Sequence, residues 1–409
     1  MLPEKRPDVV VLFATRIVRL FCYGFLSVVL ALYLVQVGLS DRQIGLLFTL
    51  TLAGDAGISL WLTTSADRFG RRRTLLVGAL LMIAAGLVFI LTNNPLLLMA
   101  AAIIGVISPS GNEIGPFLSV EQAGLTQLVP DQRRTQVFAW YNLAGSFATA
   151  TGALSGGWLA QLLQRSGFTQ VASYRAVLMG YALGGAILAV LFLFVSAAIE
   201  VPNSVGEAQP LGRMLGLHRS RSTILKLSAL FSLDAFAGGL ILQSLVAFWL
   251  NRRFGIEAGL IGSIFFGANI LAGISALLAG RLARKVGLIN TMVFTHVPSN
   301  ILLILVPLMP TLPLTILVLL LRFSISQMDV PTRQSYTMAV VAPDERSAAS
   351  GVTSIARSVG AALAPSLTGA FLAVPALLAL PFFLAGGLKL VYDLLLYRSF
   401  RALKPPEEN

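Results

Sequence analysis

Ser65-Ala66-Asp67-Arg68-Phe69-Gly70-Arg71-Arg72-Arg73 packs four arginines and one aspartate into the seven positions from 67 to 73. An apolar stretch lies on either side, at about 43–66 and 74–93, each long enough to cross a bilayer. Charge at that density cannot lie in hydrocarbon, so the run marks a turn at a membrane surface. Lys and Arg gather on the cytoplasmic side, and the basic excess of the run assigns it there. The bland alternative is a topogenic anchor with no further role.

The rest of the chain agrees with a membrane reading. Its mean hydropathy is +0.81, with 56% apolar and 12% charged residues in 409, where about a quarter charged is usual for globular proteins. Apolar stretches of spanning length recur from end to end, so the expected class is an all-α polytopic membrane protein. The net charge of +12 sits in short loops between spans. Positive-inside topology explains it better than nucleic-acid binding, which is not expected. The one cysteine, Cys22, excludes an intramolecular disulfide, and with His218 and His296 it cannot build a His-based metal centre. No G-x-x-x-x-G-K-[ST] phosphate loop is present, so ATP is not expected to drive the protein directly. No enzyme, cofactor or metal is expected. The stretch from Val9 to Val37 is too long for a signal-peptide core and lacks an A-x-A site, so it reads as a retained first span.

Twelve spans are expected, at about 9–36, 43–66, 74–93, 96–128, 136–163, 175–199, 224–250, 258–282, 288–309, 312–341, 347–373 and 376–397. An even number puts both termini on one side. With that side cytoplasmic, the inner loops collect most of the lysines and arginines, and the outer loops hold Arg42, Arg165, Arg175, Arg252 and Arg253. The longest polar break, 200–223, divides six spans from six and reads as a flexible cytoplasmic linker, with a surface helix around 211–217 as an option. The expected organisation is therefore a bundle over 1–199, the linker, and a second bundle over 224–409.

Internal repetition supports two bundles. Adding 213 carries Ala66-Asp67-Arg68-Phe69-Gly70-Arg71-Arg72 onto Ala279-Gly280-Arg281-Leu282-Ala283-Arg284-Lys285. The same offset carries Pro130-Asp131-Gln132-Arg133 onto Pro343-Asp344-Glu345-Arg346. On this register the second half holds a degenerate copy of the opening loop without its aspartate.

The opening run resembles the D-R-x-G-R-[RK] loop signature between helices 2 and 3 of the major facilitator superfamily. Thr63 or a neighbour stands where that signature usually starts with Gly. The resemblance covers the whole chain. It implies two six-helix bundles related by pseudo-two-fold symmetry, with spans 1, 4, 7 and 10 lining a central cavity and 3, 6, 9 and 12 outside. It also implies a gating loop of Asp67, Arg68, Gly70 and Arg71. Asp67 would hold the inward face closed against span 11, and Arg71 would pair with Glu121. Gly152-Ala153-Leu154-Ser155-Gly156-Gly157 resembles an antiporter motif without its proline, but helix packing is a sufficient and favoured reason for such small residues. The arginine that many members place early in span 4 is absent, with Ala101 and Ala102 there instead.

Twelve ionisable residues fall inside the expected spans: Arg16, Arg19, Asp55, Glu113, Glu121, Asp234, Arg322, Asp329, Arg333, Arg357, Lys389 and Asp393. Each would cost about 2.5–3.5 kcal/mol facing lipid at mid-bilayer. Together that exceeds the roughly 5–15 kcal/mol of ordinary folding stability, so most must face one another or water. Asp329 with Arg333, and Lys389 with Asp393, are spaced to pair along their own helices. By the family resemblance Lys389 and Asp393 rank low, as a membrane-edge pair.

Two polar, proline-interrupted segments fall at matching places: Ser108-Pro109-Ser110-Gly111-Asn112-Glu113-Ile114-Gly115-Pro116, and 324–336 with Gln327, Asp329, Pro331 and Arg333. Such pairs point to a transporter's binding site, since interrupted backbone is tolerated only in protein or around water. The candidate substrate or proton residues are Arg19, Asn112, Glu113, Asp234, Gln327, Asp329 and Arg333. The expected function is secondary transport of a small solute by alternating access: proton-coupled export, by an antiporter, of a small organic or drug-like molecule. The alternatives are carriage of an anionic solute, with Arg19 clasping it, or a transporter-like membrane sensor. Glu113 is the expected proton acceptor and Asp234 its rival. A monomer in the plasma (inner) membrane with both termini cytoplasmic completes the expectation.

Overall fold

The computed structural model describes residues 7–112, 117–200, 219–342 and 345–403, apart from the side chains of 63–68, 131, 132, 135 and 347. Glu113, the side chains of Asp67 and Arg68, and residues 201–218 of the expected linker therefore lie outside the described residues.

Helices account for the secondary structure among those residues, in the order α1 (Pro7–Ser27), α2 (Leu30–Gln36), α3 (Asp41–Phe69), α4 (Arg71–Leu91), α5 (Pro95–Ile104), α6 (Phe117–Leu128), α7 (Asp131–Arg165) and α8 (Gln170–Leu193). Then follow α9 (Arg221–Gly239), α10 (Gln243–Phe254), α11 (Ala258–Val286), α12 (Leu288–Leu305), α13 (Leu312–Phe323), α14 (Asp329–Ala339), α15 (Arg346–Leu372) and α16 (Leu380–Phe400). Among the described residues nine segments are long and apolar enough to cross a membrane, and α5 and α13 are shorter apolar helices. Taking α1–α2, α5–α6, α9–α10 and α13–α14 as interrupted single spans gives the twelve expected. The four interrupted spans are 1, 4, 7 and 10.

Local chemistry sets the boundaries. Ser40 and Gln43 form a reciprocal capping box at the start of α3. Asn94 caps α5, with Pro95 in its first turn, and Thr169 caps α8. Between α3 and α4 the chain turns at Gly70, φ 94°, and between α11 and α12 at Gly287, φ 88°, backbone that disfavours any residue with a Cβ.

Those two glycines correct the register of the repeat. Gly70 corresponds to Gly287, an offset of 217, and Gly38 (φ 96°) corresponds to Gly255 (φ 65°) at the same offset. Ala66-Asp67-Arg68-Phe69-Gly70 therefore matches Ala283-Arg284-Lys285-Val286-Gly287, with Arg284 where Asp67 stands. The offset of 213 still relates α1 to α9. The extra residues enter in α10, which has 12 residues against 7 in α2.

Contacts divide the chain into two compact units, Met1–Glu207 with Leu242–Phe266, and Ala208–Ile241 with Gly267–Asn409. In the first, α1 packs on α7 and α4 on α8. A Cβ at Gly152 would strike the Phe21 carbonyl, and one at Gly156 the Phe25 carbonyl, so these glycines let α7 approach α1 backbone to backbone. In the second, α9 packs on α15 and α12 on α16 around Phe231, Met292, Tyr336, Tyr392 and Leu396.

Candidate substrate and proton site

In the first unit, the two arginines of α1 are each committed to a protein partner. Arg19 donates from both terminal nitrogens to Glu121 of α6, at 2.8 Å to Oε1 and 2.7 Å to Oε2. Neither side chain is exposed to solvent. Thr15 donates to Oε1 at 2.8 Å, Tyr141 donates to Oε2, and the Phe117 ring lies under the guanidinium at 4.7 Å. A buried carboxylate with this many donors is a fully satisfied structural pair. Arg16 donates to the Tyr141 carbonyl and to Asn142 Oδ1 and lies over the Tyr141 ring.

Two expectations change here. Glu121 belongs to Arg19 and not to Arg71, because α6 buries the carboxylate against α1. And Arg19, saturated by that pair, does not present itself to an anionic solute. Arg71 instead donates from its side chain to the Ile199 carbonyl at 2.9 Å. Its backbone N–H and that of Arg72 donate to the Glu200 carboxylate at 2.7 and 3.1 Å. Glu200 thus caps the open N-terminus of α4.

In the described part of the span 4 interruption, several polar groups are paired. Ser108 donates to the Asn112 carbonyl, Ser110 Oγ accepts from the Asn112 N–H, and the Pro109 carbonyl accepts from Ser244 N–H. Asn112 is exposed. Asp55 accepts from Ser59, on the next turn of α3.

The second unit holds a buried ionic cluster centred on Asp234 of α9. Oδ2 of Asp234 accepts from Arg333 at 3.1 Å and from Arg357 at 3.4 Å. Its Oδ1 meets Lys389 Nζ at 2.5 Å, with His296 Nε2 at 3.9 Å. Arg333 also donates to Asp329 Oδ2 at 2.9 Å, along α14 as the spacing predicts. The other nitrogen of His296, Nδ1, lies 2.8 Å from Asp393 Oδ1, and Asn300 donates to Asp393 Oδ2 at 2.9 Å. Five helices, α9, α12, α14, α15 and α16, converge on one connected set of charges.

The cluster gathers Asp234, Asp329 and Arg333 from the expected site residues and adds Arg357, His296, Lys389, Asp393 and Asn300. The expected Lys389–Asp393 edge pair is overturned. Both side chains are buried, and Lys389 reaches across to Asp234 while Asp393 takes His296 and Asn300. Ranking spans 9 and 12 as outer helices hid this. The signal was present in the energetic argument itself, since Lys389 and Asp393 in an apolar span must each find partners.

The chemistry available is proton and charge exchange. Nδ1 of His296 lies against Asp393 and its Nε2 lies 3.9 Å from Asp234, so the imidazole stands between two carboxylates. A carboxylate meeting three cations can release one of them when it is protonated. Gln327, in the interruption of span 10, makes no hydrogen bond to any described residue.

A family model described as Major Facilitator Superfamily matches residues 12–365 and 227–409. An uncharacterised membrane protein of Saccharomyces cerevisiae is 32% identical over 421 aligned positions, covering 96% of this chain and 94% of its own. A protein of Bacillus subtilis (strain 168) named multidrug resistance protein 1 is 25% identical over 305 positions, covering 74% of each chain. Among solved structures, a D-xylose–proton symporter superposes with a TM-score of 0.75 at 16% identity, over 99% of both chains.

Proposed function

The chain belongs to the major facilitator superfamily of membrane transporters, and from that premise we propose that it exports a small organic molecule in exchange for protons, with Asp234 as the acid that couples the two. One observation carries this reading: the Asp234 carboxylate meets Lys389, Arg333 and Arg357 with His296 beside it, buried in the bilayer-spanning part of one unit. Three cations favour the ionised carboxylate, so Asp234 takes up a proton only where some of them have withdrawn, which ties proton binding to the contacts between helices. Such a differential interaction is what a coupled conformational change requires. The likeness to a multidrug resistance protein supports export of a drug-like solute. The proposed setting is a monomer, multi-pass in the plasma membrane, organised as bundles 1–199 and 224–409.

The test uses the full chain in proteoliposomes under an imposed pH gradient, with wild type, Asp234→Asn and Glu113→Gln in parallel. Asp234→Asn is expected to abolish gradient-driven flux while leaving substrate exchange at equal pH on both sides. If Asp234→Asn retains gradient-driven flux and Glu113→Gln loses it, the coupling acid is Glu113. If both variants keep gradient-driven flux, another group carries the proton, and if the wild type shows none, protons are not the coupling ion. No net solute movement by the wild type under any gradient would favour the sensor reading.

A further inference from the structure

His296 and Asp393 face each other from α12 and α16, and the coupling proposed for Asp234 leaves both without a role of their own. Asp393 is 0% exposed, with His296 Nδ1 at 2.8 Å on Oδ1 and Asn300 Nδ2 at 2.9 Å on Oδ2. It forms no ion pair with a Lys or Arg among the described residues. Lys389, one turn away on α16, turns to Asp234 and acts on Asp393 only at longer range. Tyr392 packs edge-on against the imidazole, ring centroids 5.9 Å apart at 87°, so the ring is held in one orientation.

Polar residues between apolar helices can be no more than glue. Charge and position ask for more here. The connected set holds three carboxylates, Asp234, Asp329 and Asp393, against three cations, Arg333 of α14, Arg357 of α15 and Lys389 of α16. Arg322 of α13 adds a cation on the Asp329 side. The set is therefore balanced without an imidazolium. An ionised carboxylate only accepts, so Nδ1 carries the one imidazole proton and donates it to Asp393, while Nε2 keeps its lone pair.

Nε2 lies 3.9 Å from Asp234 Oδ1, and Lys389 Nζ holds that same oxygen at 2.5 Å. The other oxygen, Oδ2, keeps Arg333 and Arg357. An ammonium and an imidazole thus stand before one oxygen, with room at it for the nearer of the two.

We propose that His296 loads the proton: when Lys389 withdraws from Asp234 Oδ1, the imidazole takes its place there and brings a proton with it. This rests on the proton-coupled reading of Asp234 and names the group that serves it. Hydronium gives its proton to Nε2, so an N–H bond forms, an O–H bond breaks and water is left. The imidazolium then donates to Oδ1 where the ammonium stood. Passing the proton on breaks that N–H bond and forms an O–H bond on Asp234. Asp393 holds the Nδ1 proton throughout and, with Asn300, is a positioning residue that keeps Nε2 as the exchanging atom. One positive charge arrives as another leaves, so no carboxylate is left buried and uncompensated.

The test reads the imidazole directly and needs no solute. His218→Gln leaves His296 as the single histidine of the chain. Nitrogen NMR of that full chain in lipid, isotope-labelled at histidine, is followed from about pH 8 down to about pH 5, where an imidazole changes charge. At the upper end Nδ1 is expected to be protonated and Nε2 bare, and Nε2 is expected to gain its proton as pH falls. Lys389→Met removes the competing cation and is expected to raise the proton affinity of Nε2 about tenfold or more, with Lys389→Arg near the wild type. Asp393→Asn is expected to lower that affinity by a similar factor. A structural pair predicts instead that pH and Lys389→Met leave both nitrogens as they are and that the variants change only Tm. The proposal is overturned by that result, by a proton on Nε2 with Nδ1 bare at the upper end, or by an unchanged affinity in Lys389→Met. An invariant imidazole beside flux that depends on Asp234 would leave the transporter reading standing. The expected titration in a protein without gradient-driven flux would remove that reading and leave the proton site.

Discussion

Glu121 shows what a buried charge in this chain requires. It receives two donors from Arg19 and one each from Thr15 and Tyr141, with no exposure of either charged side chain. Removing Arg19 alone strands that carboxylate, and breaking a buried pair costs about 3–5 kcal/mol. Arg19→Leu is therefore expected to lower stability severely, and Arg19→Leu with Glu121→Leu to recover much of the loss. The recovery stays incomplete because the Thr15 and Tyr141 hydroxyls lose their acceptor, at about 1–3 kcal/mol for each unmet group. Thermal unfolding of the two single variants and the double decides it: strictly additive effects would mean that the pair is not coupled. Arg333 behaves differently because it serves two carboxylates. Replacing it exposes Asp329, whereas Asp234 keeps Lys389 and Arg357. Arg333→Leu with Asp329→Leu is accordingly expected to regain stability without regaining gradient-driven flux.

Between helices, glycines with positive φ fix the geometry that charges only decorate. Gly70 joins α3 to α4 at φ 94° and ψ 132°, and an added Cβ would also press on Glu200 Oε1 at 3.3 Å. Gly70→Ala is expected to destabilise by about 1–3 kcal/mol, the range for residues held in glycine-only backbone. Gly57, inside α3, has open space around its missing Cβ. Gly57→Ala is expected to be neutral or to stabilise by up to about 1 kcal/mol through helix propensity. A loss at Gly57 as large as at Gly70 would remove the turn-based explanation. The same turns explain what could be read from sequence. The interruptions of spans 4 and 10 were legible because Pro109, Pro116 and Pro331 sit in polar segments at matching places, whereas those of spans 1 and 7 carry no proline and were not. The register of the repeat was not, because charged loop residues can match at several offsets, while the lengthening in α10 leaves no mark in composition. Ionic partners were legible only where both lie on one helix, as with Asp329 and Arg333. Choices across helices, such as Lys389 for Asp234, depend on packing that spacing along one helix does not encode.

For the molecule as a whole, the direction of transport depends on which face of the membrane holds the basic loops. On the proposed topology, drawn from the charge bias, the α3–α4 turn is cytoplasmic and the α7–α8 turn lies outside. The chain offers a direct test, because its one cysteine, Cys22, is buried and packs against α8 at Gly184. Cys22→Ala removes a small apolar packing residue, and the resulting cavity is expected to lower stability by about 1 kcal/mol or somewhat more. In that background Arg73→Cys and Ser166→Cys introduce thiols at exposed positions beside the two turns, each outside the ionic clusters. A membrane-impermeant maleimide added to intact cells is expected to label the Ser166→Cys protein, and to label the Arg73→Cys protein only after the membrane is opened. Each site follows an arginine, Arg72 or Arg165, so reagent charge affects the two alike. The reverse pattern would invert the topology and, with it, turn the proposed export into uptake. Labelling of Cys22 in the native chain from either side would show that α1 opens away from α8, which the packing of Cys22 against α8 does not allow.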